Sequence, residues 1–220
     1  FKWFWRVSPH DTWFTADLFN FLDGLTQGKA RGVKAVPKGQ IDKFAVAVEN
    51  TEWGAAALQV IEEFAAKHGY KIVLAFKYQA TAADLSSESR RLMASGANTY
   101  LFGSYLADSI LFIKTLKELR ANPLLIWGQD AGFIERDFPK VLGAAVNGIL
   151  TRDLFSAELG KVKPVAAQLN NIFRKRTGYD FDGTSARNFV AVQVWAHVLN
   201  NAKSTKPEAI AKAMNELHIP

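Results

Sequence analysis

The sequence predicts an α/β protein with a mainly parallel sheet. Short apolar runs alternate with segments of helical period from residue 44 to about residue 151. Glycines stop these helices, as at Gly69 and Gly96. The 220 residues are 49% hydrophobic and 22% charged, with no cysteine. Such a chain can bury a sizeable core without staples, which excludes a disordered protein. Without cysteine there is no disulfide framework, zinc ribbon, iron–sulfur cluster or thiol catalysis.

Each element follows from local chemistry. Ser8-Pro9-His10-Asp11 reads as a helix start, with Ser8 as the cap, Pro9 in the first turn and Asp11 near the positive end. That helix should run to Gly24 or Gly28. The polar stretch Gln27 to Lys43 reads as a long surface loop with no assigned role. Strands are expected at residues 44–48, 72–76, 99–102, 123–127 and 147–151, each an apolar run suited to burial on both faces. Helices are expected between them at 53–67, 84–95 and 107–120, with a short helical piece within 133–142. Beyond Thr151 the alternation stops, and helices are expected at 162–176, 184–202 and 207–217. The second of these is apolar over much of its surface. It needs a sheet or a bundle to cover it, so either the three helices pack together or their sheet belongs to other sequence.

The formal charge is +6, but it is uneven. Residues 1–43 carry seven cations and four anions, residues 44–150 ten and eleven, and residues 151–220 ten and six. The densest cluster, Arg174-Lys175-Arg176 before Gly178, reads as a helix C-terminus. No nucleic-acid partner is expected without a concentrated basic face. No window has the apolar length of a membrane span. The opening Phe1-Lys2-Trp3-Phe4-Trp5-Arg6 is strand-like, lacks the order of a signal peptide and has no initiator Met, so a fragment or a processed chain is expected.

In parallel α/β sheets, ligands bind beyond the carboxyl ends of the strands. That rule selects Glu49-Asn50-Thr51, Lys77-Tyr78-Gln79, Gly103-Ser104-Tyr105 and Gly128-Gln129-Asp130. Their mix of polar and aromatic groups suits a small polar or zwitterionic ligand. Bland alternatives stay open: Tyr105 could simply begin a helix, and Asp130 could cap the turn at Ala131-Gly132. Asn50, Tyr78 and Gln129 could be loop polars, and Trp13 and Phe14 could be core. No G-x-S-x-G elbow, phosphate loop or H-E-x-x-H occurs, and His10, His68, His197 and His218 lack ligand spacing. Neither catalysis, a metal nor a cofactor is expected. An α/β enzyme would lack a nucleophile–base pair.

Four segments in order carry a family resemblance: Phe4-Trp5-Arg6-Val7-Ser8-Pro9; Phe44 to Gly54 (FAVAVENTEWG); Ala83-Asp84-Leu85-Ser86 followed by Gly96-Ala97-Asn98; and Thr177-Gly178-Tyr179 with the long helix after it. Together they resemble the branched-chain amino-acid type of ABC-transporter substrate-binding protein, with the type I periplasmic-binding fold. The resemblance implies two α/β lobes with the ligand closed between them, one of them incomplete in this chain. Residues 1–43 would be a crossing segment, helix and loop, residues 44–150 the second lobe, and residues 151–220 the second crossing and helices of the incomplete first lobe. The resemblance further implies a monomeric periplasmic or extracytoplasmic receptor, partnered by a small-molecule ligand and membrane permease subunits. Tyr105 matches an aromatic residue lining the ligand, and Asp130 an acidic residue pairing with its α-amino group. Ser104, Asn50, Gln129 and Trp13 complete the candidate ligand-binding set. A ligand-sensing domain of a regulator with the same fold, or a binder of aromatic acids or amides, is the alternative.

Overall fold

The computed structural model describes residues 3–30 and 32–218. Part of the opening run, Phe1-Lys2, lies outside the described residues. Trp3 to Pro9 form neither strand nor helix, so the strand-like opening has no counterpart there. The chain divides into two compact units. The larger is His10–Arg152, and the smaller is Phe1–Pro9 with Asp153–Pro220.

The larger unit begins with helix α1 (Asp11–Thr26). Its cap is His10, whose Nδ1 accepts the Thr12 N–H at 3.2 Å, and not Ser8. His10 is itself extended, at φ −84° and ψ 154°, so the helix cannot begin before Asp11. A loop with one 3-10 turn, Lys38–Gln40, leads to strand β1 (Lys43–Glu49). Then follow α2 (Glu52–His68), β2 (Lys71–Tyr78), α3 (Ser86–Ala94), β3 (Thr99–Gly103) and α4 (Leu106–Glu118). Strand β4 (Leu125–Gly128), a 3-10 turn at Ala131–Phe133, α5 (Asp137–Leu142) and β5 (Ile149–Thr151) complete it. Among the described residues the sheet has five strands in the order β2-β1-β3-β4-β5. Every pairing is parallel, beyond the mainly parallel sheet expected.

The sheet is buried on both faces, as its unbroken apolar runs require. Phe44, Val46 and Val48 join Leu18, Phe19, Leu22 and Ile61 on the face covered by α1 and α2. Ala45 and Ala47 pack on the other face with Phe102, Phe112, Leu92 and Phe138, under α3, α4 and α5. Helix α1 therefore belongs to this unit's core. The compact unit runs from residue 10, with α1 covering one face of its sheet. The order reverses between β1 and β3, and such a switch point opens a crevice at the strands' carboxyl ends.

In the smaller unit, α6 (Pro164–Thr177) ends at Gly178 with φ +83°, its last turn carrying Arg174, Lys175 and Arg176 as expected. Helices α7 (Gly183–Ala202) and α8 (Pro207–Asn215) follow. Val192 and Trp195 of α7 are 68% and 47% exposed, so the three helices do not cover its apolar surface. Trp3, Trp5, Val194, Trp195, Ile210 and Met214 help line an apolar cavity of about 540 Å³ within this unit. The lining side chains are aromatic or aliphatic and none carries a charge.

Candidate functional site

The polar and aromatic groups of the larger unit gather at the carboxyl edge of its sheet. The first turn after β1 is tight. Thr51 caps α2 by accepting the Gly54 N–H at 3.1 Å, and a Cβ at residue 54 would stand 2.0 Å from the Glu49 carbonyl oxygen. Only glycine permits that approach. The turn places Trp53 beside Tyr105, their ring centroids 5.1 Å apart. Trp53 Nε1–H donates to Asp11 Oδ1 at 3.4 Å, tying the start of α2 to that of α1.

The loop after β3 is anchored from β1. Tyr105 N–H donates to Glu49 Oε1 at 2.7 Å across the switch point. Tyr105 itself is 54% exposed and thus available to a ligand. Behind it lies a buried polar group made of Glu49, Tyr78, Ser104 and Asp108. Burial raises the Glu49 carboxyl above its ordinary value, and Asp108 beside it adds to the shift. Burial likewise raises the Tyr78 hydroxyl, with the Glu49 and Asp108 carboxyls adding to the shift.

The loop after β4 is strained. Asp130 and Ala131 have φ of +54° and +47°, a region costly for residues with a Cβ. Gly132 N–H donates to the Ser104 carbonyl at 3.0 Å, holding this turn against the Tyr105 loop. Asp130 Oδ2 accepts Arg152 Nη2–H at 3.2 Å, and the two side chains are 14% and 10% exposed. The Arg152 guanidinium lies over the Phe14 ring. Burial pulls the Arg152 pKa down to about 10 against the opposing pull of Asp130, so it remains a cation at neutral pH. Asp130 was expected to pair with a ligand's amino group; here its carboxylate already has a cationic partner within the protein.

The remaining expected residues divide by depth. Asn50 is exposed, and its N–H donates to the Tyr78 carbonyl at 2.8 Å. Trp13 is 69% exposed on the first turn of α1. Ser104 and Gln129 are buried beneath the surface. Gln129 accepts from Trp127 Nε1–H at 3.2 Å and donates to Thr15 Oγ1 at 3.4 Å, so it joins α1 to the sheet. Tyr105 is thus brought beside Trp53, and Asp130 beside Arg152 over the Phe14 ring; Trp53 and Arg152 were not in the expected set. A cation directly after an apolar strand was a readable sign for Arg152, since strand ends face the crevice. Among the described residues no three potential metal ligands cluster, and no helix is long and apolar enough to cross a membrane.

This edge of the sheet thus carries aromatic faces, exposed hydrogen-bonding groups and one buried ion pair. A periplasmic binding protein family model matches residues 8–220. A Leu/Ile/Val-binding protein homologue of Brucella abortus is 25% identical over 202 residues, which cover 90% of this chain and 50% of that protein. A leucine-binding protein of Thermotoga maritima superposes with a TM-score of 0.80 at 16% identity, covering 95% of this chain and 55% of its own. An ABC-transporter solute-binding protein of R. palustris in complex with 4-hydroxybenzoate gives 0.69 at 18% identity, covering 94% and 54%. These structural similarities show the fold. The chain spans about half the length of the curated relatives it matches. With a match from residue 8 to residue 220 and this parallel sheet, the chain belongs to the periplasmic binding protein family, whose members bind without catalysis.

Proposed function

We propose that this chain is the ligand-recognising part of an extracytoplasmic receptor of an ABC importer, binding an amino acid or a related small molecule between two lobes of the whole protein. The observation that carries the reading is the exposed Tyr105 ring beside Trp53 at the β1/β3 switch point, in a chain whose family match runs nearly end to end. Closure on the ligand then offers the permease a state to recognise, provided the ligand favours the closed form over the open one. The naming of relatives as leucine or Leu/Ile/Val binders supports an amino acid.

A second reading, an amine-free carboxylic acid, is favoured by the Asp130–Arg152 pair. An incoming ammonium would have to share a carboxylate already held by a guanidinium, against like-charge repulsion. The 4-hydroxybenzoate complex of the R. palustris relative is consistent with such a ligand. Calorimetry of the full-length protein with matched pairs separates the two. Leucine against 4-methylpentanoate, and phenylalanine against 3-phenylpropionate, differ only in the amino group. Tighter binding of the amino acids supports the first reading, and tighter binding of their amine-free partners the second. If no panel member binds, the receptor reading fails.

A further inference from the structure

Glu49 and Asp108 are 1% and 2% exposed, and neither has an ion-pair partner among the described residues. Two buried carboxylates side by side cannot both carry charge at reasonable cost. Glu49 Oε1 accepts the Tyr105 N–H at 2.7 Å and faces the Tyr78 hydroxyl at 3.5 Å. Asp108 Oδ2 accepts the Thr81 N–H at 3.0 Å, and Thr81 sits at φ +56°. Glu49 accepts the N–H of the residue that opens α4, and Asp108 lies in the first turn of that helix, so the two buried carboxyls belong to one polar cluster. Among the described residues, Asp108 Oδ1 is buried and meets no N–H or O–H donor. A proton between the two groups supplies the missing donor.

We propose that Glu49 and Asp108 share one proton, and that the protonated pair is a positioning device for the ligand loop. The proton ties the end of β1 to the first turn of α4. Glu49 then holds the Tyr105 backbone at the switch point, and Asp108 holds the strained turn at Thr81. Neither residue is required to touch the ligand. Tyr78 on β2 is the titratable group facing the pair, and the loop between β3 and α4 contributes the Tyr105 N–H. Because burial lifts the Tyr78 hydroxyl, it stays a neutral donor while the pair titrates. Loss of the shared proton leaves two adjacent buried anions, which loosens the Tyr105 loop. The effect of that loosening on binding rests on the receptor reading above; the shared proton does not.

The test is carboxyl-carbon NMR titration of the full-length protein, with amide hydrogen exchange at Tyr105. The Glu49 carboxyl should stay protonated above the ordinary carboxylate range. Glu49→Ala should lower Tyr105 protection about tenfold or more, the worth of a hydrogen bond to a charged group. Glu49→Gln keeps an acceptor for Tyr105 and a donor for Asp108. It should retain protection and abolish its fall with rising pH. Glu49 titrating in the ordinary range would overturn the proposal, as would Glu49→Gln losing as much protection as Glu49→Ala. If Glu49→Ala does not fold, the wild-type titration and Glu49→Gln still decide. Calorimetry with leucine and 4-hydroxybenzoate on the same samples keeps the two claims apart. Failure of both to bind removes the receptor reading and leaves the proton result standing.

Discussion

Gly132 shows how narrowly single residues shape the site. A Cβ there would lie 2.4 Å from the Tyr105 carbonyl carbon and 2.5 Å from the Leu106 nitrogen, both fixed backbone. Gly132→Ala must push the β4 loop away from the β3 loop. It should cost about 1–3 kcal/mol in urea unfolding, as overpacking does, and weaken ligand binding further. At the ion pair, Arg152→Met keeps a long apolar stem on Phe14 and frees Asp130. Selectivity by calorimetry should then move about tenfold toward amine-bearing ligands, one unit of charge having been removed beside the carboxylate. Unchanged selectivity would show that Asp130 and Arg152 do not face the ligand. The placement of Tyr105 and Asp130 just beyond β3 and β4 was legible in the sequence, because strand ends in a parallel sheet are a small set of positions. The Asp130–Arg152 pairing was not, since residues 22 apart in sequence meet only once β4 and β5 align. Glu49 was visible as a loop residue. Its depth came from strand period, which puts it on the same face as Ala45 and Ala47.

Among the elements, α1 and α2 show what ties the layers together. Asp23 on α1 accepts from Tyr70 Oη–H at 3.1 Å and lies 2.6 Å from His68 Nδ1 at the end of α2. Burial and the nearby Asp23 carboxylate raise the Tyr70 hydroxyl, which therefore remains a donor. Asp23→Ala strands both partners in a half-buried place. The expected loss is about 1–3 kcal/mol of unfolding free energy, read from the urea midpoint at unchanged slope. Helix ends were largely legible. Gly69 stops α2 at φ +70°, and Gly178 stops α6, each where the sequence carries its glycine. The start of α1 was not, because Ser8 and His10 are both capable acceptors and the local pattern does not choose between them. Helix α3 begins at Ser86 and not Asp84, because the Asp84 carboxylate bonds the Ser86 N–H and hydroxyl at 3.0 and 2.7 Å from outside the helix.

At the scale of the whole molecule, the alternating pattern between residues 44 and 151 specified the parallel sheet, since buried strands and covering helices have distinct periods. Its register and the switch point came only from strand order, which no local period encodes. The apolar surface of α7 was equally plain in the sequence, and it remains exposed on Val192 and Trp195. Pairing of the Glu49 carboxyl also predicts a global trend. Its folded value is raised, so the folded form binds more protons than the unfolded one above the ordinary carboxylate range. Its contribution is full at low pH and is lost as pH rises through the folded value, a slope that Glu49→Gln should flatten. The central claim is that the carboxyl edge of this sheet recognises a small molecule. Calorimetry of the full-length protein and its Tyr105→Ala variant against the amino-acid and carboxylic-acid panel tests it most directly. The account predicts saturable one-to-one binding of at least one panel member, weakened about tenfold or more without the ring. Equal affinity of wild type and variant, or no binding by wild type, would contradict it.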